Sequence, residues 1–197
     1  MNDWLEKDIK REIRRIEDFI RDFVLDDETV VVPVSGGLDS DVVTRLCCES
    51  LGSSRVKAFI VIQSDMEPKF LKNAVKLCDE LKISLAKIHL EDMNQELMSA
   101  LEQAESKKLF DTDLMLNPAK AKCSVRSAVI SCYQDKGFLI AGTTNRTEKE
   151  LGFFLTFGDN LAHFKPIAHL YKSELEDLAA VLGTDKAIID QEPSAGC

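Results

Sequence analysis

The stretch Val30-Val31-Val32-Pro33-Val34-Ser35-Gly36-Gly37-Leu38-Asp39-Ser40-Asp41-Val42-Val43 joins two kinds of structure. Val30, Val31, Val32 and Val34 are a β-branched run, the mark of a strand buried in a parallel sheet. Pro33 is unusual inside a central strand, because it has no N–H for the ladder. After the glycines, Val42, Val43, Leu46 and Cys47 follow a helical period. A strand, a glycine turn and a helix in that order suit a polyphosphate. Two glycines remove the Cβ barrier, so successive N–H groups can point into one concavity. The helix N-terminus adds partial positive charge. Ser35 and Ser40 supply hydroxyl donors. Asp39 can hold Mg²⁺ against the phosphates, since that ion favours one or two carboxylates plus phosphate oxygens. No GxxxxGK[ST] occurs, which excludes a Walker-type loop.

Outward from this stretch, strands and helices alternate. Upstream, Trp4, Ile9, Ile13, Ile16, Ile20 and Phe23 recur at helical spacing, with Lys10, Arg11, Arg14 and Arg15 on the solvated face. Downstream, apolar runs at 58–62, 85–90 and 138–141 read as three further strands. Residues 67–82 read as a helix with Phe70, Ala74, Leu77 and Leu81 on one stripe. Residues 91–121 read as polar and irregular, with a helix near Leu97 and Leu101. Helices follow at 123–135 and 171–182, and 142–165 reads as a glycine-containing loop. This order predicts βαβ units in one domain, 1–197, with a three-layer, doubly wound parallel α/β sheet.

Composition narrows the function classes. A chain of 197 residues with net charge −9 is large enough for a real core. It lacks the basic field of a general nucleic-acid binder. No apolar run approaches the roughly 20 residues that cross a bilayer, and the start shows no secretory pattern, so a cytoplasmic location is expected. The six cysteines form no CxxC pair, and the three histidines no HExxH. Cys47, Cys48, Cys78 and Cys132 fall on helical stripes and read as small hydrophobes.

Ser35-Gly36-Gly37-Leu38-Asp39-Ser40 resembles the pyrophosphate loop of the N-type ATP pyrophosphatases, the Rossmann-like adenine nucleotide alpha hydrolases. Members of that superfamily adenylate an oxygen of a carbonyl-type substrate and release pyrophosphate. A nitrogen or sulfur nucleophile then displaces AMP. The second half adds Gly142-Thr143-Thr144-Asn145-Arg146-Thr147-Glu148, then Leu151-Gly152-Phe153-Phe154 and Phe157-Gly158-Asp159. Lys165-Pro166-Ile167, Leu170-Tyr171-Lys172 and Pro193-Ser194-Ala195 follow. This series resembles the ammonia-dependent NAD synthetases, whose pattern runs GTxNxxE, LGYFTKYGD, PIxxLYK and PSA.

The resemblance implies ATP as co-substrate, Mg²⁺, nicotinate adenine dinucleotide as acceptor, ammonia as nucleophile, and a homodimer. By the same resemblance, Ser35, Gly36, Gly37, Leu38, Asp39 and Ser40 would bind pyrophosphate. Thr143, Lys172 and Ser194 would contact ATP, and Asp39 and Glu148 would hold the metal. Asp159, Arg126 and Lys165 would face the acceptor, while Asp39 and Lys172 would stabilise the reacting phosphate. Thr143 also makes sense on general grounds, because ligands sit at strand C-termini in open α/β sheets.

Two departures open alternatives. Cys123 stands where these synthetases carry an arginine. Flanked by Lys122 and Arg126, its thiol would have a lowered pKa, and it could carry sulfur to an adenylated acceptor. Family members also continue past the PSA motif with a segment that helps cover the site, so the chain is either trimmed or works without that cover. A nucleotide-binding protein without catalysis is the third reading.

Overall fold

The computed structural model describes residues 6–63, 66–105, 118–152 and 159–191. The valine run forms β1, Val30–Pro33, and the glycine turn leads into α2, Leu38–Leu51. A second unit, β2 (Val56–Ile62) and α3 (Pro68–Leu81), leads to β3, Ser84–His89. After α4 (Glu91–Glu105) and α5 (Pro118–Asp135) the chain returns as β4, Leu139–Ile140. All pairings are parallel and the strand order is β3-β2-β1-β4. The chain therefore winds outward through β1, β2 and β3, then crosses back to the other side of β1. The crevice between the C-terminal ends of β1 and β4 is the switch point, where open α/β sheets take their ligands.

Alternation along the strands fills two apolar layers. Val30, Val32, Ala58 and Ile60 face α2, α3, α1 (Glu6–Phe23) and α7 (Lys172–Leu182). Val31, Phe59, Val61 and Ile140 face the opposite way, against Val125, Val129 and Tyr133 of α5. This is the expected three-layer, doubly wound parallel sheet.

The ladder explains Pro33. Thr29 and Val31 accept from Leu139 (3.0 Å) and Ala141 (3.1 Å), so alternate residues of β1 face β4. Pro33 is next on that side and lies beyond the last pair, Val31↔Ile140. Its missing N–H falls where the sheet opens. Val34 turns the other way and donates to the Phe59 carbonyl at 2.8 Å.

Four sequence readings need correction. The helix read near Leu97 and Leu101 is α4, and it starts at Glu91 in chain otherwise read as irregular. The segment read as a loop at 142–165 holds α6, Arg146–Leu151, and a 3₁₀ turn at Asp159–Leu161. At six residues α6 is too short to show a period. Phe23, placed on the buried stripe of α1, is 41% exposed, because Val24 takes the core position at 2%. Cys132 is exposed, whereas Cys47, Cys48 and Cys78 are buried as read. Trp4, Phe153, Phe154 and Phe157 lie outside the described residues.

Candidate active site

The turn after β1 is held by its own serines and by α3. Ser40 Oγ accepts from the Ser35 N–H at 3.1 Å and donates to the Gly37 carbonyl at 3.0 Å. Ser35 Oγ in turn accepts from the Gly37 N–H at 3.3 Å. Gly36 sits at φ +79, and a Cβ there would lie 2.0 Å from the Phe70 carbonyl oxygen. Asn73 donates to the Gly36 carbonyl at 3.1 Å. The fold therefore demands glycine at 36. It makes no such demand at 37, where the backbone is extended (φ −98, ψ 173) and a Cβ would meet only Ser35 Oγ at 3.4 Å. Gly37 is also the N-cap of α2, and no side chain caps that end. An uncapped helix N-terminus beside a bare Cα is the geometry that admits a phosphate. Leu38 turns its side chain into the core, so only its backbone serves such a ligand.

Asp39, in the first turn of α2, meets residues that follow β4. Asn145 Nδ2 donates to Asp39 Oδ1 at 2.7 Å, and the Lys172 ammonium pairs with Oδ2. Asn145 is the N-cap of α6. Its Oδ1 accepts from the Glu148 N–H at 2.9 Å, and the Glu148 carboxylate accepts from the Asn145 N–H at 3.1 Å, a reciprocal capping box. Thr147 Oγ1 accepts from the Lys172 N–H at 3.0 Å, tying the start of α7 to the same place. Asp39, Asn145, Glu148 and Lys172 thus form one bonded group at the switch point.

The remaining expected residues distribute as follows. Thr143 is half-buried in the segment after β4. Lys165 lays its stem over Gly142, where a Cβ would lie 2.9 Å from its Cγ, and reaches Asn160 at 2.8 Å. Arg126 donates to Gln63 at the C-terminal end of β2, at 3.1 Å. Cys123 lies in α5 and Asp159 opens the 3₁₀ turn, but their side chains lie outside the described residues, as does Ser194. The sequence reading did not select Asn145 or Asn73. The spacing Asn145-x-x-Glu148, a capping-box pattern, is the local signal that could have marked the first. Nothing local marks Asn73, whose partner is 37 residues away.

A buried ion network fixes the α2 end. Asp41 accepts from Arg45 at 2.7 Å and from Thr184 at 2.6 Å. The Arg45 guanidinium forks onto Glu80 of α3 at 2.8 and 3.1 Å. Although burial opposes its charge, Arg45 is held more basic than an ordinary arginine by the bonds from Glu80 and Asp41. Glu80, bonded to Arg45, sits below the usual carboxylate range.

Mg²⁺ fits the donors present. Asp39 and Glu148 are hard carboxylates, and Asp39 already takes one cation, the Lys172 ammonium. Among the described residues no group of three or more His, Cys, Asp or Glu forms a cage.

A parallel sheet with a phosphate-admitting turn at its switch point defines a nucleotide-binding protein of the doubly wound class. Residues 12–197 match the family model described as NAD synthase. The chain belongs to the NAD synthase family. It is 34% identical over 188 residues to the NH(3)-dependent NAD(+) synthetase of Archaeoglobus fulgidus, covering 93% of this chain and 72% of that one. With the namesake enzyme of Methanoregula boonei it shares 32% over 168 residues, covering 85% of this chain and 64% of that one. Among solved structures, the NH3-dependent NAD synthetase of Campylobacter jejuni, in complex with the nitrate ion, superposes with a TM-score of 0.77. Identity there is 28%, over 92% of this chain and 76% of that one. The NMN synthetase of Francisella tularensis shares the fold, with a TM-score of 0.83 at 23% identity, over 95% and 76%.

Proposed function

We propose that the chain is an ATP-dependent ligase that amidates nicotinate adenine dinucleotide with ammonia. The observation that carries this is the bonded group of Asp39, Asn145, Glu148 and Lys172 beside Gly37, where neither φ nor a close neighbour requires glycine. Family membership and the relatives named NH(3)-dependent NAD(+) synthetase support the same reading.

The turn from Ser35 to Ser40 holds the β and γ phosphates. The acceptor's carboxylate oxygen attacks the α phosphorus as the bond to pyrophosphate breaks, giving an acyl adenylate. Ammonia then attacks the carbonyl carbon, AMP leaves, and the nitrogen gives up its extra proton. Asp39 and Glu148 hold Mg²⁺, which when bound supplies positive charge against the phosphate oxygens. Lys172 and the α2 N-terminus meet the charge that grows on the leaving pyrophosphate. The family resemblance assigns Thr143 and Ser194 to ATP. The same resemblance assigns Asp159, Arg126 and Lys165 to the acceptor. The chain's own work is orientation and charge stabilisation rather than covalent catalysis.

The reading includes a homodimer in the cytoplasm. Met93, Leu97 and Leu101 recur every four residues along α4 and stay at least 36% exposed, an apolar stripe suited to a subunit contact. No described helix is long and apolar enough to cross a membrane. The test is NAD formation with ATP, Mg²⁺, ammonia and nicotinate adenine dinucleotide, with nicotinate mononucleotide as a second acceptor. NAD formed with AMP and pyrophosphate supports the reading. Pyrophosphate release with neither acceptor overturns the acceptor assignment.

A further inference from the structure

We infer that Asn145 is a positioning residue that sets both metal-facing carboxylates at once. The inference rests on the Mg²⁺ assignment of the proposed function and deepens it. Asn145 follows β4, whereas Asp39 follows β1, so the residue bridges the two halves of the crevice. It is 1% exposed, and water does not compete for its amide.

The bonds fix the orientation of that amide. Oδ1 must face the Glu148 N–H, which can only donate. Nδ2 must face Asp39, an acceptor when ionised. A flipped amide would set oxygen against carboxylate and N–H against N–H. Asp39 Oδ1 is therefore tied to Asn145, and Oδ2, where Lys172 now sits, is the oxygen turned to a cation. Glu148 has an oxygen tied to the Asn145 backbone N–H. Each carboxylate thus has one oxygen fixed by the same residue. Their separation is set by one side chain and its own backbone, not by two independent loops.

Serine caps a helix as well as asparagine does but is too short to reach Asp39. Asn145→Ser therefore separates the two roles. Partners that orient metal ligands are worth roughly 10- to 100-fold in metal affinity. For Asn145→Ser we expect Mn²⁺ alone, titrated against the protein and followed by the free-ion EPR signal, to bind about tenfold more weakly. The Mg²⁺ needed for half-maximal pyrophosphate release rises in parallel, the KM for ATP at saturating Mg²⁺ stays within about twofold, and the melting temperature holds. Wild-type Mn²⁺ affinity in Asn145→Ser overturns the inference. So does a loss that tracks a fall in melting temperature, which makes Asn145 a cap and nothing more. If the wild type forms no NAD, the functional reading fails, while the Mn²⁺ comparison still decides the role of Asn145.

Discussion

A Cβ on Gly36 would sit 2.0 Å from the Phe70 carbonyl, whereas one on Gly37 would touch only a serine hydroxyl at 3.4 Å. The two adjacent glycines therefore answer to different constraints, and substitution should separate them. Gly36→Ala meets a backbone clash at positive φ, and we expect it to cost about 2–4 kcal/mol in a denaturant titration. Gly37→Ala should unfold like the wild type yet lose at least about tenfold in ATP turnover, since its Cβ enters the space a phosphate needs. Normal turnover in Gly37→Ala contradicts the phosphate assignment. Thiol labelling tests the cysteines at the same scale. Burial pushes Cys48 up to about 11 and Cys78 up to about 12, and raises Cys47 as well. An alkylating agent at pH 8 should modify exposed Cys132 and spare these three until the chain unfolds, as read by mass spectrometry. At this scale the turn itself was legible in SGGLDS, because paired glycines between an apolar run and a helical period mark a tight strand-to-helix connection. The environment of Gly36 was not, because Phe70 is distant in sequence.

The Asp41–Arg45–Glu80–Thr184 network binds the start of α2 to α3 and to the turn after α7. Asp41 and Arg45 are buried, so Arg45→Ala leaves the Asp41 carboxylate in the core without its cation, held only by the Thr184 hydroxyl among the described residues. A loss of about 3–5 kcal/mol is expected in chemical denaturation. Lys76 pairs with Asp185 at 2.5 Å across the surface, where water and salt screen the charges, and Lys76→Ala should leave the denaturation midpoint nearly unchanged. Glu80 adds a pH signature. Its carboxyl is held below the ordinary value by Arg45, so its contribution is present above about pH 4.3 and is lost as pH falls through the lower native value. Glu80→Gln should therefore melt below the wild type at pH 7, with the gap closing as the pH is lowered past that value. A gap independent of pH contradicts the assignment. Long elements were legible because burial imposes a period on them. The short α6 was not, because its stability comes from a capping box rather than from an apolar face.

At the scale of the molecule, the strand order β3-β2-β1-β4 brings the turn after β1 and the segment after β4 to one crevice. Alternating apolar runs foretold the parallel sheet, and residues of the two motifs meet at that crevice, where Asp39 contacts Asn145 and Lys172. Neither the runs nor the motifs could show that the two sides are joined by Asn145 through a bond spanning 106 residues, since side-chain contacts at that separation follow from packing alone. The proposed ligase cuts ATP between its α and β phosphorus atoms. The most direct measurement supplies ATP labelled at the α phosphorus with nicotinate adenine dinucleotide, ammonia and Mg²⁺, and identifies the labelled product. Label in AMP, with pyrophosphate and NAD in equal amounts and all three lost in Asp39→Asn, is the predicted result. Label in ADP, or ATP left whole in the presence of the acceptor, contradicts it.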